Sequence, residues 1–374
     1  MGHYVIVGGG GFLGAHVISA LQKIGCKERI IVVDPCPQEF KTIKIDKSNI
    51  SYIKASFLDD KVLENILNGA SAVVHLAAVG HTGLIAGDRK SVHNFNVNGT
   101  KQLIKQCKAL GVKRFLYASS VAVSFIGEPL DNVTEDDPLP DPKKYLDFYS
   151  ASKAEAETYV LSQSTPDFKT VCLRFRGIYG PEDPNVTLKV ANLIKNGLFI
   201  GMVSAHGRES VSCASSGVNC AKAFALADQM LQNPDGLHGR AYYILDGENV
   251  GQFQFWTPLV LALGKQPPSF YTPYDFIKAV VPYFQNVCYG VFKLPPLLTK
   301  FELSILAVDN TYSIERARRE LGYEPEPCVM TDVAKYYQDL EENEVATATT
   351  EWKSAISILI VFISIAFLFL FNLN

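Results

Sequence analysis

The chain of 374 residues has no C-x-x-C pair and no H-x-x-x-H pair, and its eight cysteines and seven histidines are scattered. That distribution excludes a disulfide framework, fits a reducing compartment and predicts no metal centre. Nor is there an excess of basic charge. Lys and Arg number 35 against 38 Asp and Glu, a net charge of −3, so no nucleic-acid partner is expected. No repeat of fixed period is visible, which excludes solenoids and propellers. Apolar material is not scarce: 48% of residues are hydrophobic, enough for a sizeable core and too much for disorder. The first strand is expected to begin at Gly2-His3-Tyr4-Val5, so no signal peptide is expected. The four N-x-[ST] matches at Asn49, Asn98, Asn132 and Asn185 are therefore expected to be accidental.

One long apolar run does exist. Residues 354–371 read SAISILIVFISIAFLFLF, eighteen positions without a charge or a proline. As a helix they would reach about 27 Å, close to the thickness of an endoplasmic-reticulum bilayer. Trp352 and Lys353 stand where interfacial anchors would. A buried core helix is the alternative, but core helices rarely run apolar on every face. The expectation is a single-pass membrane protein with a cytosolic catalytic body, held in the lipid bilayer of the endoplasmic reticulum. A second apolar region, 276–298, is broken by Pro282, Pro295, Pro296 and several polar residues. It cannot span a bilayer cleanly, and reads as core or lid packing or as interfacial contact.

Short apolar strands alternate with helical patterns through the first half. Strands are expected at 4–7, 29–33, 51–54, 72–75, 113–118 and 170–175, and helices near 12–24, 61–67, 91–110 and 150–162. This order predicts an α/β protein, a doubly wound parallel sheet of Rossmann type with helices on both faces. Past residue 180 the pattern loosens, with helices near 187–196, 221–231 and 252–263 and a strand at 241–245. Ser313 begins SIERARRELGY, a helix with Ser as N-cap and Gly322 past its end. The expected domains are a dinucleotide-binding core at 1–180, a mainly substrate-binding part at 181–345 with segments returning to the core, a linker at 346–353 and the anchor.

The first strand runs into Gly8-Gly9-Gly10-Gly11-Phe12-Leu13-Gly14. Glycines at 8, 11 and 14 supply a tight turn, close approach to a diphosphate and close helix–strand packing. The start of the next helix, at Phe12 and Leu13, offers free N–H groups to the phosphates. Asp34 ends the second strand and is placed to accept from ribose hydroxyls and repel a 2′-phosphate. Since Pro35 rather than an arginine follows, NAD is favoured over NADP. His75-Leu76-Ala77-Ala78 ends the fourth strand in small residues that let backbone pass close to the cofactor. His75 itself reads as a core histidine.

Tyr149 and Lys153 lie four apart, on one helical face. The Y-x-x-x-K pattern occurs three times, at Tyr149/Lys153, Tyr274/Lys278 and Tyr289/Lys293, and context chooses between them. Only the first lies in the α/β half, after a strand ending in Ser119-Ser120, at the edge where such sheets bind ligands. The other two read as lysines snorkelling over a packed face. Lowering a tyrosine from its ordinary value near 10 to about 7 takes roughly 4 kcal/mol of phenolate stabilisation. A neighbouring ammonium and a cationic nicotinamide can supply it. Ser120 would hold the substrate oxygen during hydride transfer.

Together VIVGGGGFLG, VVD, HLAA, NFNVNGT, FLYASS, YSASK, LRFRGIYGPED and SIERARRELGY resemble the extended short-chain dehydrogenase/reductases. Within them the chain resembles the 3-beta-hydroxysteroid dehydrogenase/isomerase family, including its sterol-4-carboxylate branch and membrane-anchored orphan relatives. The resemblance covers about residues 4–340. It implies Ser120, Tyr149 and Lys153 as the catalytic set, Lys153 also holding the nicotinamide ribose, with Ser119 the alternative by one register. It further implies NAD-dependent oxidation of a steroid or sterol 3β-hydroxyl, with an isomerase or decarboxylation step as an option, and a homodimer as a common assembly. Three departures stand out. Ala55-Ser56-Phe57 replaces a segment that often carries Asp, and Phe175 replaces a proline. Ser210–Asn219 is polar where relatives are apolar, which predicts a disturbed strand and helix start. Two further readings keep the fold: a nucleotide-sugar reductase or epimerase, disfavoured by apolar 197–200 and 276–298, and a catalytically silent NAD-binding membrane scaffold.

Overall fold

The computed structural model describes residues 2–81, 83, 85–287, 290 and 298–343. Seven parallel strands make the main sheet: β1 (His3–Val7), β2 (Arg29–Val33), β3 (Ile50–Ile53), β4 (Ala70–His75), β5 (Arg114–Ser120), β6 (Lys169–Phe175) and β7 (Arg240–Ile244). Their order is β7-β6-β5-β4-β1-β2-β3. These strands read as unbroken apolar runs because helices cover both faces of the sheet, and all seven residues of β6 are buried. On one face lie α1 (Phe12–Lys23) and α5 (Gly217–Gln232), which share a core with the sheet through Val17, Ile18, Leu21 and Phe224. On the other face α2 (Asp60–Leu67), α3 (Gly99–Ala109) and α4 (Phe148–Ser162) pack through Leu63, Ile104 and Val160. The chain turns outward in opposite directions from β1 and β4, which opens a crevice at their carboxyl ends.

The expected helix over 91–110 is interrupted. It runs as Arg89–His93, a π-helical turn at Asn94–Asn98 and then α3. Such widened turns recur at functional sites, and this one carries buried Asn96. Further on, the expected cap Ser313 lies one position before the observed one: Glu315–Leu321 is capped at Ile314, and Ser313 Oγ accepts the Glu315 N–H at 3.3 Å. Gly322 ends that helix at φ +64°, the left-handed conformation glycine adopts freely.

The second half adds small sheets to the rim. Val250–Gly251, Val211–Ser212, Asn310–Tyr312 and Leu130–Val133 form one, in that order. The polar Ser210–Asn219 segment does not lose its strand or its helix start. Ser215–Ser216 pairs with Ile178–Tyr179, and Ser216 caps α5. The polarity has a cause. Arg176 extends from the end of β6 into this region, donating from Nε to Asn310 Oδ1 at 2.8 Å and from Nη2 to Gln252 Oε1 at 2.6 Å. Behind these acceptors, Ser212 Oγ donates to the Asn310 carbonyl at 2.8 Å and Gln252 Nε2 donates to Ser210 Oγ at 3.3 Å. The guanidinium is thus held by neutral groups, and burial lowers its pKa.

The membrane expectation is corrected. No helix among the described residues is long and apolar enough to cross a membrane. The sixteen-residue α5, for instance, carries Asn219, Lys222, Asp228 and Gln232, whereas a span needs about 18 apolar residues. The single-pass endoplasmic-reticulum localisation and the bilayer as partner are therefore withdrawn; residues 354–371, which prompted them, lie outside the described residues. The region after 274 forms a helix, Tyr274–Val287, with Pro282 inside it. Its Tyr274 and Val281 pack with Phe301 and Leu303.

Candidate active site

The crevice at the carboxyl end of β1 is a cleft of about 540 Å³. Its floor is the glycine turn. Gly8 sits at φ +74°, and a Cβ there would lie 2.6 Å from the Ala77 nitrogen. A Cβ on Gly14 would come within 2.3 Å of the Gly9 carbonyl oxygen. Gly11 differs, since a Cβ would meet nothing closer than Gly8 O at 4.0 Å. Its bare backbone faces the cleft, leaving room of the kind a diphosphate needs. As N-cap of α1 it offers no side-chain cap, so the first N–H groups of that helix remain available to an anion. Asp34 also lines the cleft, with Oδ2 accepting the Gly10 N–H at 3.1 Å and Oδ1 the Cys36 N–H at 2.8 Å. A carboxylate has about four acceptor sites, which leaves two for ribose hydroxyls. Phe12, Leu13, Ala77 and Ala78 complete the lining, together with Ala55, Ser56, Phe57 and Phe175. These residues fit a dinucleotide.

At the far end of the cleft the two serines of β5 part company. Ser119 also borders the cleft, but it is buried and its hydroxyl is committed to Glu157 Oε2, to which it donates at 2.5 Å. Ser120 lines the cleft together with Tyr149 and accepts the Ala122 N–H at 3.2 Å. Burial pushes the Tyr149 hydroxyl above its ordinary value; Ser120 lowers it, and the charge on Asp147 raises it further. Lys153, one turn on, is buried and its pKa is pulled down by desolvation to about 7. Its ammonium is tied to β5, donating to Ala118 O at 2.6 Å and to Tyr117 Oη at 3.1 Å. It lies 6.0 Å from the centre of the Tyr149 ring. Ser120 and Tyr149 are brought together, then, while Lys153 stands beside them with one donor unused.

His75 is a core residue, as its sequence context suggests. It is buried against Phe57, Phe115 and Tyr117, its Nε2 lies 2.9 Å from Thr100 Oγ1, and desolvation pulls its pKa down to about 3. Of the competing Y-x-x-x-K pairs, Tyr274 is buried with Lys278 Nζ 5.2 Å over its ring; Tyr289/Lys293 lies outside the described residues.

Sequence reasoning missed three side chains. His81 lines the cleft and bonds Asp147, the N-cap of α4, at 2.6 Å. Asn96 clamps both backbone groups of Val79 (2.8 and 3.0 Å) and donates to Ser152 Oγ at 2.9 Å, joining the loop after β4 to α4. Glu182 accepts from the Lys41 and Thr42 N–H groups at 3.0 and 2.7 Å, closing the loop after β2 against the rim. A cap residue three positions before Ser150 was the available signal for Asp147; the partners of His81 and Glu182, 66 and 140 or more positions away, leave none.

Residues 5–273 match the 3-beta hydroxysteroid dehydrogenase/isomerase family. The chain is 36% identical over 309 residues to 3beta-hydroxysteroid dehydrogenase/Delta(5)-Delta(4) isomerase 1 of Caenorhabditis elegans, covering 83% of this chain and 66% of that one. It is 30% identical over 347 residues to short-chain dehydrogenase/reductase family 42E member 1 of Danio rerio, covering 90% and 88%. Among solved structures, UDP-glucose 4-epimerase of Thermotoga maritima superposes with a TM-score of 0.67 at 18% identity, over 91% of this chain and 99% of that one. At that identity the likeness bears on the fold alone.

Proposed function

Because the chain belongs to the 3-beta hydroxysteroid dehydrogenase/isomerase family, we propose that it oxidises the 3β-hydroxyl of a steroid or sterol with NAD as oxidant. The observation that carries this reading is that Ser120 and Tyr149 both line one end of a glycine-floored cleft, with Lys153 6.0 Å from the Tyr149 ring centre. Bound NAD supplies the carbon that accepts the hydride. Gly8, Gly11 and Gly14, with Phe12 and Leu13, floor the diphosphate site, Asp34 accepts from the adenosine ribose, and Ala77 and Ala78 form the wall. Ser120 donates a hydrogen bond to the substrate oxygen and holds it for reaction. Tyr149 takes the hydroxyl proton as that oxygen becomes a carbonyl. Lys153 turns its third ammonium proton to the nicotinamide ribose and places positive charge near the phenolate. Residues 1–180 form the cofactor-binding core in this reading, and 181–345 mainly bind substrate. The test is NADH formation by the purified full-length chain with a panel of 3β-hydroxysterols, and by the Tyr149→Phe variant. Turnover of the sterols by wild type and none by the variant is expected. Oxidation of a polar alcohol or a nucleotide sugar, with no sterol turned over, would sink the reading.

A further inference from the structure

Tyr149 has an ionisable neighbour besides Lys153. The His81 ring lies 4.1 Å from the Tyr149 ring, centre to centre, and stacks on Phe301 at 3.9 Å and 14°. Its Nδ1 is 2.6 Å from Asp147 Oδ2, while Asp147 Oδ1 accepts the Ser150 N–H at 2.8 Å. The stack and the hydrogen bond together fix the imidazole, and Asp147 is shared between histidine and helix cap. Both side chains are mostly buried, at 21% and 17% exposure, so a charge on either is felt more strongly than at the surface.

A carboxylate beside a phenol opposes phenolate formation unless a cation offsets it. Lys153 does so only in part, since its ammonium lies 6.0 Å from the ring centre with two donors committed to Ala118 O and Tyr117 Oη. Histidine is the side chain that gains and loses charge near neutral pH. The titratable or charged groups near Tyr149 besides the pair are Lys153 on α4, Tyr117 on β5, which bonds Lys153, and Tyr274, which packs in one cluster with Tyr149 and Phe301. Helix Lys300–Ala307 presents apolar Phe301, its Glu302 being bound to Lys189 at 2.5 Å.

We propose that the His81–Asp147 pair sets the protonation of Tyr149: the imidazolium offsets the Asp147 carboxylate beside the phenolate, and its deprotonation leaves that carboxylate unopposed. The inference rests on Tyr149 as the base. His81 acts through Tyr149 and is a positioning residue. His81→Gln keeps a donor for Asp147 but cannot carry charge, and Asp147→Asn keeps a capping side chain without charge.

The measurement is the pH profile of kcat/KM for NAD-dependent sterol oxidation, whose rising limb follows deprotonation of Tyr149. His81→Gln should move its midpoint up by about one pH unit, and Asp147→Asn should move it down by a similar amount. A merely structural role would lower both activities and leave the midpoint in place. If Tyr149→Phe is inactive and the two midpoints move together or not at all, the inference is overturned while Tyr149 as base survives. If Tyr149→Phe stays active, that base assignment fails first. A 13C NMR titration of wild type labelled at the tyrosine Cζ, assigned by difference from Tyr149→Phe, decides the matter without either substitution folding. Two inflections in the Tyr149 resonance, one from His81, are expected; a single inflection overturns the proposal.

Discussion

Replacing Glu157 by Gln removes one charge from a pair that has almost no contact with water. Glu157 is 0% exposed and the Arg174 side chain 4%. Arg174 donates from Nη2 to Oε1 at 2.7 Å and from Nε at 3.1 Å, and stands 4.8 Å over the Tyr243 ring, while its Nη1 is buried without a hydrogen-bond partner among the described residues. The glutamine fills the same space, so the loss is electrostatic: a guanidinium left buried without its counter-charge. Breaking one side of such a pair costs about 3–5 kcal/mol, whereas replacing both partners by apolar side chains of similar volume is close to neutral. Glu157→Gln should therefore lower the unfolding free energy by about 3–5 kcal/mol, read as a lower urea midpoint at unchanged m, and Glu157→Met/Arg174→Met should lose clearly less. Turnover should fall as well, because the carboxylate also holds Ser119, next to Ser120, at 2.5 Å. A loss below about 1 kcal/mol in the single variant, or a double variant as unstable as the single, would refute the account.

Three further outcomes follow from the cleft. Lys153, lowered by burial to about 7 from 10.5, binds fewer protons folded than unfolded between those values. Stability should thus rise with pH from about 7 towards 10, by on the order of a few kcal/mol; urea midpoints at pH 7, 8 and 9 should climb for wild type relative to Lys153→Met, and parallel curves would contradict this. Asp34→Ala should erode the preference for NAD over NADP at least tenfold in kcat/KM ratio and cost about 1 kcal/mol, since the Gly10 and Cys36 N–H groups lose their acceptor. Gly8→Ala, forced to φ +74° with its Cβ 2.6 Å from the Ala77 nitrogen, should abolish NAD binding by calorimetry or prevent folding; normal binding would show that the turn tolerates a side chain.

The glycine turn, the strands of the main sheet and the placing of Tyr149 and Lys153 one turn apart on a helix were legible in sequence because each depends on short-range order. An apolar run that meets glycines, or two residues four apart, carries its geometry in its spacing. The start of α4 was read two residues late because Ser150 looks like a first helical residue, whereas Asp147 bonds its N–H and places Tyr149 in the first turn. The π-helical turn at Asn94–Asn98 is set by tertiary contacts of Asn96 with Val79 and Ser152, which periodicity does not record. Polar Ser210–Asn219 looked like decay of a strand because nothing in its own neighbourhood reveals Arg176.

That arginine ties together positions that would otherwise vary independently. Asn310 and Gln252 hold its guanidinium, and Ser212 and Ser210 are bonded to those two in turn. Exchanging Arg176 alone for an apolar residue strands buried acceptors, and exchanging its acceptors alone strands a part-buried cation; either single step is worse than both together. Mutational paths between this chain and relatives apolar at 210–219 must therefore cross a less stable intermediate or change several sites at once. For chimeras the consequence is practical: a graft of the 210–219 segment from such a relative should fold only if residues 176, 252 and 310 travel with it.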